Sequence, residues 1–234
     1  MVAVFVALMF VGLVLTDLVL QKLKARRAVA VSPQASWVPG ATVERLARPR
    51  SFPCGIPQRV YLSQGHAWFR PDPSGEVRVG ADALLAHALG APDRVTLPKV
   101  GDTVRRGQPL FYLVHIGRTL TVSSLVTGKV LAVNDALREL PELVAREPYG
   151  DGWVCKVAPA HLDDDSGRMR SGEKAATWLE YEFARFCEFI GVNIPADLAL
   201  GATSVDGGLP ALGSLTQLSD QAWRAFEAGF LRAR

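Results

Sequence analysis

At 234 residues the chain is long enough for one or two domains with a buried core. Its formal net charge of +3 is too small to form the basic footprint of a nucleic-acid binder. Three cysteines (Cys54, Cys155 and Cys187), with no CxxC pair, argue against a disulfide framework and fit a reducing compartment.

Residues 2–20, VAVFVALMFVGLVLTDLVL, form an apolar run whose one charge is Asp17, near its end. About 20 helical residues cross the roughly 30 Å core of a bilayer. No basic segment precedes the run, as a secretory signal would require. Lys22, Lys24, Arg26 and Arg27 follow it instead. The run therefore predicts a transmembrane anchor over residues 1–21, with an uncleaved or cleaved signal as the alternative, and the positive-inside rule puts the N-terminus outside and the body in the cytoplasm, as in a bacterial inner membrane. Residues 22–57 carry this basic cluster and five prolines with little periodicity, and read as a juxtamembrane linker.

Residues 58–160 are β-rich. RVYLS, HAWFR and EVRVG are predicted strands, with the turn PDPSG before the third. ADALLAHALG reads as a short helix with Asp82 at its start and Gly90 at its end. RVTLP, the turn KVGDTVRRGQ, a hairpin, GKVLAVN and GWVCKVAP follow. The hairpin lies in FYLVHIGRTLTVSS, with strands predicted over 111–116 and 119–122 and joined at Gly117-Arg118. Short strands with frequent glycine turns predict a small barrel or sandwich.

Residues 161–234 form a predicted helical extension. It opens with the acidic run 163–165, expected in a solvated loop. A helix follows from a cap at Ser171 to a stop at Gly191, with Trp178, Leu179, Phe183, Phe186, Cys187 and Ile190 on one face. After a loop-like stretch containing VDGG at 205–208, a second amphipathic helix closes the chain, capped by Ser219 or Asp220. Packing of these helices on the β domain is the expected arrangement, with partner docking or the membrane surface as the alternatives.

Recognisable chemistry is sparse. His66, His87, His115 and His161 show no metal spacing such as HxxxH. Ser123-Ser124 has no identifiable base, and no phosphate-cradling GxxxxGK[ST] occurs. The chain is expected to be a non-catalytic protein with no metal.

The blocks YLSQGHAWFR, VGADALLAHALG, LPKVGDTVRRGQ and SSLVTGKVLAVNDALRELPELVAREPYGDGWVCKVAP, in this order, resemble the H protein of the glycine cleavage system. HAW is similar to that family's HEW, LPKVGDTVRRG to LPEVGDTVKKG, and the PELVAREPYGDGW run to PELVNEDPYGEGW. The resemblance implies a mainly β, lipoyl-type flattened barrel of two antiparallel sheets with a helix near the middle. In the family, a lysine on an exposed hairpin, within ESVKAVSD, carries lipoate through an amide bond. Counting from either flanking block puts Gly117 at that lysine's position. Glycine has no amine, and the guanidinium of Arg118 stays protonated and is a poor nucleophile. The six lysines are Lys22, Lys24, Lys99, Lys129, Lys156 and Lys174, none at the tip. Lipoate is therefore not expected as a cofactor. Two roles remain for the tip: a tight turn with a solvated charge, or a partner-binding surface made by His115, Gly117 and Arg118. These features together predict a membrane-anchored, non-lipoylated scaffold or accessory subunit that binds protein partners of a membrane complex. A working lipoate carrier, and an enzyme with its site in the C-terminal extension, are the alternatives.

Overall fold

The computed structural model describes residues 55–194 and 210–231. The predicted anchor, all but the last three linker residues, the VDGG turn and the three terminal residues lie outside the described residues. Among those described, no helix is long and apolar enough to cross a membrane.

Ten strands and six α-helices follow in chain order among the described residues. The strands are β1 (Tyr61–Leu62), β2 (Ala67–Pro71), β3 (Val77–Ala81), β4 (Arg94–Thr96), β5 (Thr103–Val104), β6 (Pro109–His115), β7 (Arg118–Ser123), β8 (Gly128–Val133), β9 (Cys155–Pro159) and β10 (Arg170–Ser171). The helices are α1 (Ala83–Leu89), α2 (Ala136–Glu139), α3 (Leu143–Arg146), α4 (Leu162–Ser166), α5 (Gly172–Asn193) and α6 (Asp220–Phe226). A 3₁₀ turn (Ser214–Gln217) leads into α6, and a π-helical turn (Glu227–Leu231) follows it.

The strands form two antiparallel sheets, one ordered β10-β1-β2-β3-β9-β8-β5 and one ordered β4-β6-β7. This is the mainly β, two-sheet arrangement that the resemblance implies. Alternation builds the core. Along β7, Leu120 and Val122 are buried while Arg118, Thr119, Thr121 and Ser123 are more accessible, the period-2 pattern of a strand with one face inward. Trp68 pairs with Gly80 across β2 and β3, and its indole lies where a Cβ on Gly80 would stand, 2.8 Å from Nε1. A side chain there would displace the largest ring of the core, which explains a glycine inside a strand.

α1 begins and ends where its sequence signals place it. Asp82 accepts a hydrogen bond from the Leu85 N–H, and Gly90 closes the helix at φ 75°. α5 buries Ala175, Leu179, Glu182, Phe183, Phe186, Phe189 and Ile190. Four of the six predicted apolar positions lie on this face; Trp178 and Cys187 flank it half-buried. Gly191 does not stop the helix, which runs to Asn193. A single glycine inside a packed helix costs only about 1 kcal/mol, which the buried stripe outweighs.

Three other expectations are corrected. The hairpin turn is Ile116-Gly117, with His115 paired to Arg118 across it. Both turn residues have positive φ, 49° and 70°, the backbone of a type I′ turn, whose twist matches that of the strands. Arg118 is therefore the first residue of β7 and no part of the tip. The acidic run 163–165 is helical, and Asp165 is buried, accepting from the Thr127 N–H at 3.4 Å and facing Arg106 at 3.8 Å. The extension also contains a strand: β10 pairs with β1, so residues after 160 complete the larger sheet.

Candidate functional site

Hairpin β6–β7 presents the tip to solvent. Ile116 is 67% exposed, and no atom lies within 4 Å of where a Gly117 Cβ would stand. The base of the tip is held on both sides. Asp93 accepts from the Ile116 N–H at 2.6 Å and faces His115 Nδ1 at 3.2 Å. Arg118 points to the chain's C-terminal elements. Its guanidinium donates to the Leu218 carbonyl at 2.8 Å and to Asp220 at 2.7 Å, and lies 5.2 Å from the centre of the Trp223 ring. Of the three predicted tip residues, only Gly117 stands free at the apex.

This tether predicts a modest effect. Arg118→Ala is expected to cost about 1 kcal/mol, because the Asp220 pair is largely exposed and the arginine–indole contact is small. Hydrogen exchange should accelerate over 218–226, while the hairpin amides stay protected. Unchanged exchange in α6 would show that the arginine does not hold it.

Among the described lysines, none has an unusual environment. Lys99 and Lys129 are exposed, on the turn before β5 and on β8, and Lys174 is exposed on α5. Lys156 faces Glu76 at 3.7 Å. Among the described cysteines, burial pushes the Cys155 thiol up to about 12 and the Cys187 thiol up to about 11, away from the reactive thiolate. No cluster of three or more potential metal ligands occurs among the described residues.

The main electrostatic feature is interior and was not foreseen. His66, of the HAW motif, sits in the β1–β2 turn at φ 56° and is fully buried. Its Nδ1 lies 2.8 Å from Asp82 Oδ2, the same carboxylate that caps α1. Its Nε2 faces Glu182 of α5 at 3.8 Å, an ion-pair separation too long for a hydrogen bond. Glu182 in turn accepts a short hydrogen bond from Arg185, whose guanidinium lies over the Phe230 ring. Trp178 stacks on the imidazole at 5.2 Å. Burial alone pushes the imidazolium toward losing its proton. The two carboxylates outweigh that effect and raise His66 to about 9. Burial likewise works against the Glu182 carboxylate, but His66 and Arg185 prevail and hold it below its ordinary value. A charged chain, Asp82–His66–Glu182–Arg185, thus connects the β domain to the extension. The sequence signal was a glutamate on the apolar stripe of α5, four residues after Trp178.

The family described as Glycine cleavage H-protein matches residues 60–182, which run from β1 to Glu182 of α5. Among curated proteins, the glycine cleavage system H protein of Psychrobacter sp. (strain PRwf-1) is 32% identical over 121 residues, covering 52% of this chain and 96% of that protein. That of Chromobacterium violaceum is 36% identical over 114 residues, covering 49% and 89%. Among solved structures, a glycine cleavage system H protein from Mycobacterium marinum aligns with a TM-score of 0.47 at 29% identity, covering 53% of this chain and 98% of that one. The match spans more than half of the sequence and nearly the full length of its relatives, so this chain belongs to the glycine cleavage H-protein family.

Proposed function

We propose that this protein is an H-type subunit that does not carry lipoate on its hairpin and acts as a scaffold or accessory subunit, binding protein partners in a membrane complex. The observation that carries the proposal is the hairpin itself: its apex is Ile116-Gly117, and no lysine occurs anywhere in residues 109–123. Amide attachment needs a side-chain amine, which glycine lacks. Localisation to the membrane rests on the apolar run 2–20 and the basic residues after it. An anchor raises the concentration of the body near a membrane partner without requiring tight binding.

The second reading, an H-type lipoate carrier, is favoured by relatives such as those from Psychrobacter and Chromobacterium violaceum, which are glycine cleavage system H proteins. Intact mass of the full-length protein, purified from native membranes in mild detergent, separates the two. An unmodified mass with a stoichiometric set of co-purifying membrane chains is the expected result. A lipoyl adduct, or recovery with glycine-cleavage enzymes alone, would restore the carrier.

A gain-of-function variant tests the tip separately. Gly117→Lys is expected to acquire lipoate when co-expressed with lipoate-attaching enzymes, because nothing crowds the apex. A non-glycine residue at φ 70° should cost about 1–3 kcal/mol, which the tolerance of Ile116 to φ 49° makes affordable for the turn. A folded variant that stays unmodified would show that more than the amine has been lost.

A further inference from the structure

A second site lies where the β domain meets the extension. One wall of a cleft of about 400 Å³ is built from the β1–β2 turn, the turn before β6 and the end of β7; the other is built from residues 167–170 and Leu231. Three arginines line it, Arg106, Arg168 and Arg170, and no lining residue is acidic. Ser63, Gln64, Ser123 and Ser124 are the other polar residues of the lining.

The arginines are held apart by different contacts. Arg106 is drawn toward Asp165 at 3.8 Å. Arg170 lies over the Trp178 ring, its Cζ 4.9 Å from the ring centre, a contact that leaves the charge of the guanidinium uncompensated. Arg168 is exposed. Neither Arg168 nor Arg170 has a carboxylate within ion-pair distance among the described residues. Three like charges converging on one cleft repel one another, and a concave wall of low dielectric concentrates their field. Guanidinium groups match carboxylates and phosphates through paired N–H donors. A volume near 400 Å³ is in the range of small-molecule sites and too small for a folded partner.

We propose that this cleft binds a small anionic molecule through a carboxylate or phosphate group, held by Arg168 and Arg170 with Arg106 beside it. The ligand bridges the two walls, so its binding fastens the extension to the β domain. The site does not depend on whether the hairpin carries lipoate.

Isothermal titration calorimetry on the full chain at constant ionic strength tests this, with inorganic phosphate in one arm and succinate in the other. Saturable binding of at least one is expected, and the arm that responds identifies the group recognised. Arg168→Ala should weaken binding about tenfold, roughly 1.4 kcal/mol. This side chain is exposed and has no structural partner among the described residues, so the variant should fold normally. Arg170→Ala should abolish binding, with circular dichroism checking that loss of the Trp178 stack has not unfolded it. Absence of saturable heat in both arms would overturn the proposal, as would unchanged affinity in Arg168→Ala.

Discussion

Glu182→Ala is expected to destabilise the protein by about 3–5 kcal/mol, because it strips one partner from a buried charge network and leaves the others in place. Without Glu182, the imidazolium of His66 faces Asp82 alone, and Arg185 loses its carboxylate. Urea denaturation at pH 6 would give the magnitude. The pH dependence gives a sharper result. A raised folded-state value for His66 means its contribution is fully present below its ordinary value of 6.5 and is lost as pH rises through about 9. A lowered value for Glu182 means its contribution is present above its ordinary value of 4.5 and is lost as pH falls. Between those ordinary values both contributions are in force, so the stability attributable to this pair should decline on either side of that window. In Glu182→Ala the fall in stability above pH 6.5 should be shallower than in the parent. A loss below 1 kcal/mol, or an unchanged pH profile, would mean that the network does not hold α5 to the sheet.

Phe226→Ala should cost a similar amount, about 3–5 kcal/mol, by a different route. Phe226 is fully buried, stacks on Phe230 at 4.8 Å, and meets Phe186 edge-on at 5.9 Å and Phe189 at 6.1 Å. Truncation removes a ring from the centre of four and leaves a cavity that the rigid neighbours cannot close. For a domain of this size the midpoint of thermal unfolding should fall by roughly 6–20 °C. The spectroscopic correlate is greater accessibility of Trp223, which lies on α6 beside it and is now 5% exposed. A variant that unfolds at the parent's temperature would show that the C-terminal helices contribute nothing to the body, as expected if they merely projected from it.

Both effects fall on the seam between the β domain and the extension, which was the part of the molecule least legible in the sequence. The family match ends at Glu182, so the second half of α5 and everything after it lie beyond the matched region. The aromatic cluster draws Phe186 and Phe189 from α5 and Phe226 and Phe230 from α6 and its π-helical turn, all beyond that limit. Its contacts cover His66 inside the shared domain, since Phe230 lies 6.1 Å from the imidazole. The extension therefore changes the setting of a residue that belongs to the HAW motif.

The sequence alone determined the local elements and the family. Hydrophobic alternation specified the strands, Asp82 and Gly90 bounded α1, and the helical spacing of Leu179, Phe183, Phe186 and Ile190 marked the buried stripe of α5. These are short-range properties, set by the period of side chains along a strand or helix, and they need no knowledge of what lies opposite. That residues 109–123 contain no lysine is likewise a property of the sequence. Tertiary structure decided which groups meet. The type I′ turn moved the apex by one residue to Ile116-Gly117 and carried Arg118 into contact with Leu218 and Asp220, about a hundred positions away. His66, Asp82 and Glu182 lie in three separate elements, and three arginines from the β5–β6 turn and the residues before α5 converge on one cleft. Such meetings depend on sheet order and helix docking, which chain separation does not encode, because charge and burial act through space and not along the sequence.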